Sequence, residues 1–130
     1  MLDLDHFKSL NDRFGHPFGD QVLQAVGELA AASVRPTDSA CRYGGEEVAL
    51  NLDEADAAAG AVVAERVRAG IAALAFRPRG EPVLVTASFG LASAEHLGGP
   101  AQLDGKRLVA LADAALYRAK AEGRNRTCAA

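Results

Sequence analysis

Apolar residues change their spacing several times along this chain, and each change marks an element. Leu2 and Leu4 alternate with Asp3 and Asp5, the period-two pattern of a strand that ends near Asp5. Phe7, Leu10 and Phe14 then recur at intervals of three and four, which puts them on one face of a short helix ended by Gly15. A second helix is expected from about Phe18 to Ser33, with Val22, Leu23, Val26, Leu29 and Ala30 as its buried stripe and Pro36 blocking its continuation. Two short apolar runs, Ser39-Ala40-Cys41 and Val48-Ala49-Leu50, flank Arg42-Tyr43-Gly44-Gly45-Glu46-Glu47. A glycine pair between strand-like runs is a tight-turn signal, so residues 39–52 read as a β-hairpin whose turn carries two adjacent carboxylates.

From Glu54 to Leu74 the alanine-rich sequence predicts a long amphipathic helix facing the core through Val62, Val63, Val67, Ile71 and Leu74. Arg77-Pro78-Arg79-Gly80-Glu81-Pro82 forms a turn. The near-continuous apolar run Val83 to Ala92 predicts a central strand covered on both faces. A glycine-containing loop over residues 95–105 leads to a last helix over 106–122, and Arg124 to Cys128 reads as a closing edge strand. Strand, helix, helix, strand, strand, helix, strand, helix, strand is an α+β order, with an antiparallel hairpin in the middle and helices packed on a sheet. No repeat or linker divides residues 1–130, which are expected to form one domain.

Composition narrows the classes of function. A hydrophobic share of 49% and a charged share of 24% are those of an ordinary globular domain able to bury a core. The net charge of −3 argues against a nucleic-acid polymer as partner, because such surfaces need a basic footprint, whereas a nucleotide pocket needs only a few placed cations. No apolar run approaches the roughly 20 residues of a membrane span, and the start lacks the basic-then-apolar pattern of a signal peptide. A cytoplasmic domain without membrane contact is the expectation. Cys41 and Cys128 lack metal-ligand spacing and are assigned no chemistry.

The candidate chemistry gathers around the acidic turn. Two neighbouring carboxylates repel each other and are costly without a cation, and an oxygen-rich site suits a hard divalent ion such as Mg²⁺. If the Glu46 turn lies beside the first strand, then Asp3, Glu46 and the Leu4 carbonyl can surround one ion, whose remaining positions water and phosphate oxygens fill. Phe7-Lys8 stands where a strand passes into a helix, so unpaired backbone N–H groups and a lysine charge face an anion together. Lys120 and Arg124, four apart near the end of the last helix, can project together toward phosphates or simply balance the helix dipole. Asn11 offers a donor and an acceptor and Asp20 an acceptor, which suits the edge of guanine; surface or helix-cap roles are the alternative.

Four blocks carry a more specific pattern: Asp3-Leu4-Asp5-His6-Phe7-Lys8, the stretch Asn11 to Asp20, Gly44-Gly45-Glu46-Glu47-Val48, and Ala112 to Arg126. In this order, and over nearly the whole chain, they closely resemble the GGDEF-type diguanylate cyclase domain, with the signature here spelled Gly-Gly-Glu-Glu-Val. The resemblance implies a palm-like, ferredoxin-type sheet with the acidic hairpin on it. It implies an enzyme that condenses two GTP molecules into cyclic di-GMP with release of pyrophosphate, across a homodimer in which each copy holds one GTP. The implied cofactor is Mg²⁺ or Mn²⁺, held by Asp3, the Leu4 carbonyl and Glu46, with Glu47 either a further ligand or the base for the ribose 3′-hydroxyl. Phe7, Lys8, Lys120 and Arg124 would meet the phosphates, and Asn11 and Asp20 the base. Arg35 and Asp38, in Arg35-Pro36-Thr37-Asp38 five residues before the glycine pair, resemble the family's inhibitory product site, which Arg66 would complete.

Two departures matter. Val48 stands where an aromatic residue is usual, a loss of volume beside the turn. The chain also opens inside a strand at Met1-Leu2-Asp3-Leu4, so the family's first helix and the start of this strand, together with a sensory region that enforces dimerisation, are expected upstream. The alternative reading is a catalytically inactive regulatory module that binds GTP or cyclic di-GMP.

Overall fold

The computed structural model describes residues 1–130. Its elements follow the predicted order: β1 (Leu2–Leu4), α1 (Phe7–Phe14), α2 (His16–Ala32), β2 (Ser39–Gly44), β3 (Glu47–Asn51), α3 (Ala57–Ala72), β4 (Ala87–Leu91), α4 (Gly105–Ala121) and β5 (Thr127–Ala129). The strands form one sheet in the order β2-β3-β1-β4-β5. β1 is central and runs antiparallel to β3 and β4, while β5 runs parallel to β4 at the edge. The architecture is α+β, as expected, and the acidic hairpin β2–β3 takes the other side of the sheet with β2 as its edge.

Strand alternation sorts the sheet residues onto two faces. Leu2, Leu4, Val48, Ala87 and Phe89 join Val22 and Val26 of α2 and Val67 and Ile71 of α3 in one buried cluster. Asp3, Ser88 and Gly90 alternate with them and so face the opposite way, toward α4. Gly90 is required there: a Cβ would lie 2.0 Å from the Ala112 carbonyl oxygen and 2.4 Å from the Leu116 nitrogen, so the α4 backbone rests directly on the strand. β4 is thereby covered on both faces, as its apolar composition predicts.

Two boundaries and one buried face differ from the sequence reading for a physical reason, and the closing strand is Thr127–Ala129 rather than Arg124 to Cys128 because Arg124 and Asn125 stand at positive φ. The strand expected over residues 83–92 is confined to Ala87–Leu91, with Val83 making only an isolated bridge to Phe76 and Leu84 72% exposed. β1 turns into α1 after Leu4, whose partner is Ala87, so the earlier residues of the run have no ladder to join. α3 starts at Ala57 because Asp56 caps it, its carboxylate accepting the Ala59 N–H at 2.7 Å. The face α3 buries is Gly60, Ala64, Val67 and Ile71, and Val62 is 65% exposed. Small residues win that face because the helix sits so close to β4 that a Cβ on Gly60 would come 2.8 Å from Leu91 Cδ1. No helix is long and apolar enough to cross a membrane.

Candidate functional site

A cleft of about 270 Å³ opens where the end of β1, the first turn of α1, the Glu46 turn and the end of α4 meet. Asp3, Leu4, Phe7, Lys8, Glu46, Lys120 and Arg124 all line it, together with Asp5, His6 and Ser9. Seven of the residues singled out in the sequence thus converge from three separate stretches of the chain. Glu47, Asn11 and Asp20 lie outside the lining.

The first turn of α1 is open to an anion. His6, in the left-handed region at φ 57°, precedes the helix, no side chain caps it, and its first turn holds no acidic residue. The first intrahelical bond runs from the Leu10 N–H to the His6 carbonyl at 3.1 Å, leaving the N–H groups of Phe7, Lys8 and Ser9 without a helical partner. Those donors, the positive end of the helix and the Lys8 ammonium give this side of the cleft an electropositive edge of the kind that suits an anion.

The carboxylates stand on the strands beside it. Register pairs Asp3 with Glu47, placing both on one sheet face, where like charges opposite each other are unfavourable unless a cation balances them. In this structure the balance comes from Lys120, whose Nζ lies 2.9 Å from Asp3 Oδ1. The Leu4 N–H donates to the Glu46 carbonyl at 3.4 Å, so the Glu46 turn does lie beside β1. An extended residue directs its N–H and C=O to the same side, so the Leu4 carbonyl also faces that turn. Asp3 and Glu46 with the Leu4 carbonyl form an all-oxygen donor set, which fits a hard divalent cation. Glu47 keeps close to the turn: a Cβ on Gly44 would meet its Oε2 at 3.7 Å.

The end of α4 supplies the basic wall. The chain leaves the helix through Gly123, Arg124 and Asn125, all at positive φ, and the Arg124 N–H closes back on the Ala119 carbonyl at 2.9 Å. Holding non-glycine residues there costs on the order of 1 kcal/mol each. Asp5, buried beside the cleft, accepts the Asn125 N–H at 3.0 Å and the hydroxyls of Thr86 and Ser88 at 2.7 Å each. The sequence reading did not single out this anchor; Gly123 and Asn125, two residue types that tolerate left-handed backbone, were its available signal.

The two residues expected at the base lie at the packing of α1 on α2. Asn11 Oδ1 is buried without a hydrogen-bond partner and sits against Gly19, where a Cβ would come within 1.9 Å of it. Asp20, next in the chain, is exposed.

The turn after α2 gathers the third group. Asp38 accepts the Arg35 N–H at 2.9 Å and the Asp53 N–H at 3.0 Å, and its Oδ2 is 3.7 Å from Arg35 Nε. These contacts, the Arg35 amide first, hold its carboxyl below the usual carboxylate range; the cover comes from its own loop rather than from depth in the core. Arg66 of α3 donates to the Ser33 carbonyl, which brings it to the same turn. The Arg35 side chain remains 61% exposed.

Together the fold and cleft define a palm-like α+β domain with an acidic hairpin beside a basic, anion-ready cleft. Residues 1–126 match the family model described as diguanylate cyclase, GGDEF domain, and the chain belongs to that family, whose members are nucleotidyltransferases. It is 43% identical over 126 residues to diguanylate cyclase DgcP of Pseudomonas aeruginosa, covering 97% of this chain and 18% of that protein. Among solved structures it resembles the GGDEF domain of DgcB from Caulobacter crescentus in complex with c-di-GMP, at a TM-score of 0.88 and 36% identity, covering 98% of this chain and 74% of that one. It also resembles the active GGEEF domain of a diguanylate cyclase from Vibrio cholerae, at a TM-score of 0.87 and 30% identity, covering 98% of this chain and 78% of that one. The chain spans less than half the length of the curated relatives it matches.

Proposed function

We propose that this domain condenses two GTP molecules into cyclic di-GMP, working as a pair of copies that face each other. The observation that carries the reading is the convergence of an uncapped helix start, Lys8, Lys120 and Arg124 on one cleft edged by Asp3 and Glu46. At about 270 Å³ the cleft is near the lower end of single-ligand pockets, roughly 300–1,000 Å³, so one copy holds one nucleotide. Two attacks then need two copies, and bringing the reactants together is the main service of the dimer.

In each attack the 3′-oxygen of one ribose bonds to the α-phosphorus of the other GTP, and the bond from that phosphorus to the pyrophosphate oxygen breaks. The open N–H groups of Phe7 and Lys8, with Lys120 and Arg124, hold the triphosphate and take up charge on the departing pyrophosphate. Asp3, Glu46 and the Leu4 carbonyl would hold Mg²⁺ or Mn²⁺, which supplies charge neutralisation at phosphate oxygens. Lys120 balances Asp3 in this structure, so the same ammonium is already at hand for phosphate. Glu47, opposite Asp3, either completes the ion's ligands or accepts the 3′-hydroxyl proton. Asn11 and Asp20 read guanine. Arg35, Asp38 and Arg66 receive the cyclic product and slow further turnover. The proposed reaction belongs to the cytoplasm, where GTP is available, and a sensory region would control it by pairing two copies.

The test is incubation of the intact protein with GTP and Mg²⁺, followed by chromatography for cyclic di-GMP and pyrophosphate. Glu46→Gln is expected to abolish product while leaving the circular dichroism spectrum unchanged, since it removes one charge from a turn. Undiminished turnover in that variant takes Glu46 out of the site.

A further inference from the structure

Gly123, Arg124 and Asn125 leave α4 with φ of 117°, 63° and 46°, so two of three consecutive left-handed residues are not glycine. L-residues do not hold such a run by their own preference, so contacts from outside must hold it. Two elements supply them. From the turn that follows β1, Asp5 accepts the Asn125 N–H on Oδ2 at 3.0 Å, and its carboxylate is fixed in turn by Thr86 and Ser88. From α3, Arg68 donates through Nη1 to Asn125 Oδ1 at 2.6 Å. Arg68 is itself oriented by Glu65, which accepts from its Nε at 3.0 and 2.9 Å, and this guanidinium side chain is only 19% exposed. Arg68 and Asn125 do not line the cleft, whereas Arg124 between the clamp and α4 does.

We propose that Arg68 and Asp5 are positioning residues for nucleotide phosphates: by gripping Asn125 from two sides they keep the left-handed bend that presents Arg124 to the triphosphate. The inference rests on the reading of the cleft as a GTP site. Its effect falls on the phosphates, because the clamp acts on a guanidinium whose planar fork must be aimed to meet two oxygens at once. It spares the base, because Asn11 sits at the α1–α2 packing, apart from this bend. Asp5 also lines the cleft, but three donors already occupy its two oxygens.

Affinities for GTP and for GMP, which lacks the β- and γ-phosphates, are measured by calorimetry and competition in the intact protein with Mg²⁺. The variants are Arg68→Met, Asn125→Ala and Asn125→Asp, each checked by thermal melting. Arg68→Met and Asn125→Ala are expected to bind GTP about tenfold more weakly while GMP stays within about twofold, as fits losing the aim of one charged contact. Asn125→Asp keeps the acceptor and tolerates positive φ, and should bind GTP like the unmutated protein. Equal losses for both nucleotides, or unchanged GTP affinity in Arg68→Met and Asn125→Ala, overturn the proposal. If the unmutated protein prefers GTP no more than GMP, the phosphate reading of the cleft falls and takes the proposal with it, a failure visible before any substitution is made.

Discussion

A carboxylate or a glycine in this domain acts through the atoms around it, and two residues show how sharply. Gly19 leaves room for Asn11 Oδ1, with a Cβ there falling 1.9 Å from that oxygen and 2.9 Å from its carbon. Gly19→Ala must therefore displace Asn11, at a stability cost of about 1–3 kcal/mol for forced repacking. If Asn11 reads guanine, the variant should also lose preference for GTP over ATP, which competition binding will show. Asp38 gives a pH signature. Its folded pKa lies below the ordinary 3.8, so its stabilisation is complete above that value and disappears as pH falls through the lower folded value. Asp38→Asn should melt below the unmutated protein at neutral pH, and the gap should close in acid as Asp38 itself is protonated. A pH series of melting curves checks this, and a gap that persists in strong acid would show that charge plays no part.

At the scale of elements, the hairpin and α2 meet over a small hollow. Val48 lies in the core cluster, and with Leu23, Gly27, Ala40, Cys41 and Arg42 it lines a space of about 80 Å³. The missing aromatic volume is thus on the core side of the hairpin, on the sheet face opposite that of Asp3 and Glu47. At ~24 cal/mol per Å³, complete filling is worth at most ~2 kcal/mol. Val48→Phe should stabilise the domain by about 1 kcal/mol, because the hollow is partly open and some of the ring will protrude. Denaturant titration should show a higher midpoint at unchanged slope, and a lower midpoint would mean that the hairpin is already fully packed.

For the whole molecule, the proposed product site and the cleft are joined through one helix, α3. The turn bearing Arg35 and Asp38 lies with Arg66 on α3, and α3 also carries Arg68 to the bend after α4. If this turn takes the cyclic product, Arg35→Ala should weaken product binding about tenfold, the loss of a charged fork, and leave GTP binding unchanged. Turnover in the unmutated protein should slow as product accumulates, and turnover in the variant should not. Calorimetric titration of cyclic di-GMP into both forms decides the point, and equal affinities would reduce the segment to a loop that ends α2.

What the sequence determined by itself was local in origin. Periodicity is set by neighbours a few residues apart, so the order of nine helices and strands was legible, as was Gly44-Gly45 as a turn. Three of the four motif blocks likewise named most of the residues that line the cleft, because each block carries its residues at fixed spacing, whereas the Asn11 to Asp20 block supplies none of them. Ends and faces were decided by tertiary contacts. β4 begins at Ala87 because β1 stops at Leu4, and α3 turns Val62 outward because Gly60 and Ala64 let it approach β4 more closely. The grip on Asn125 was also invisible along the chain, since Arg68 and Asn125 stand 57 residues apart and Asp5 and Asn125 stand 120 apart. A hydrogen bond between distant residues leaves no spacing to read, and only the folded chain brings its donor and acceptor together.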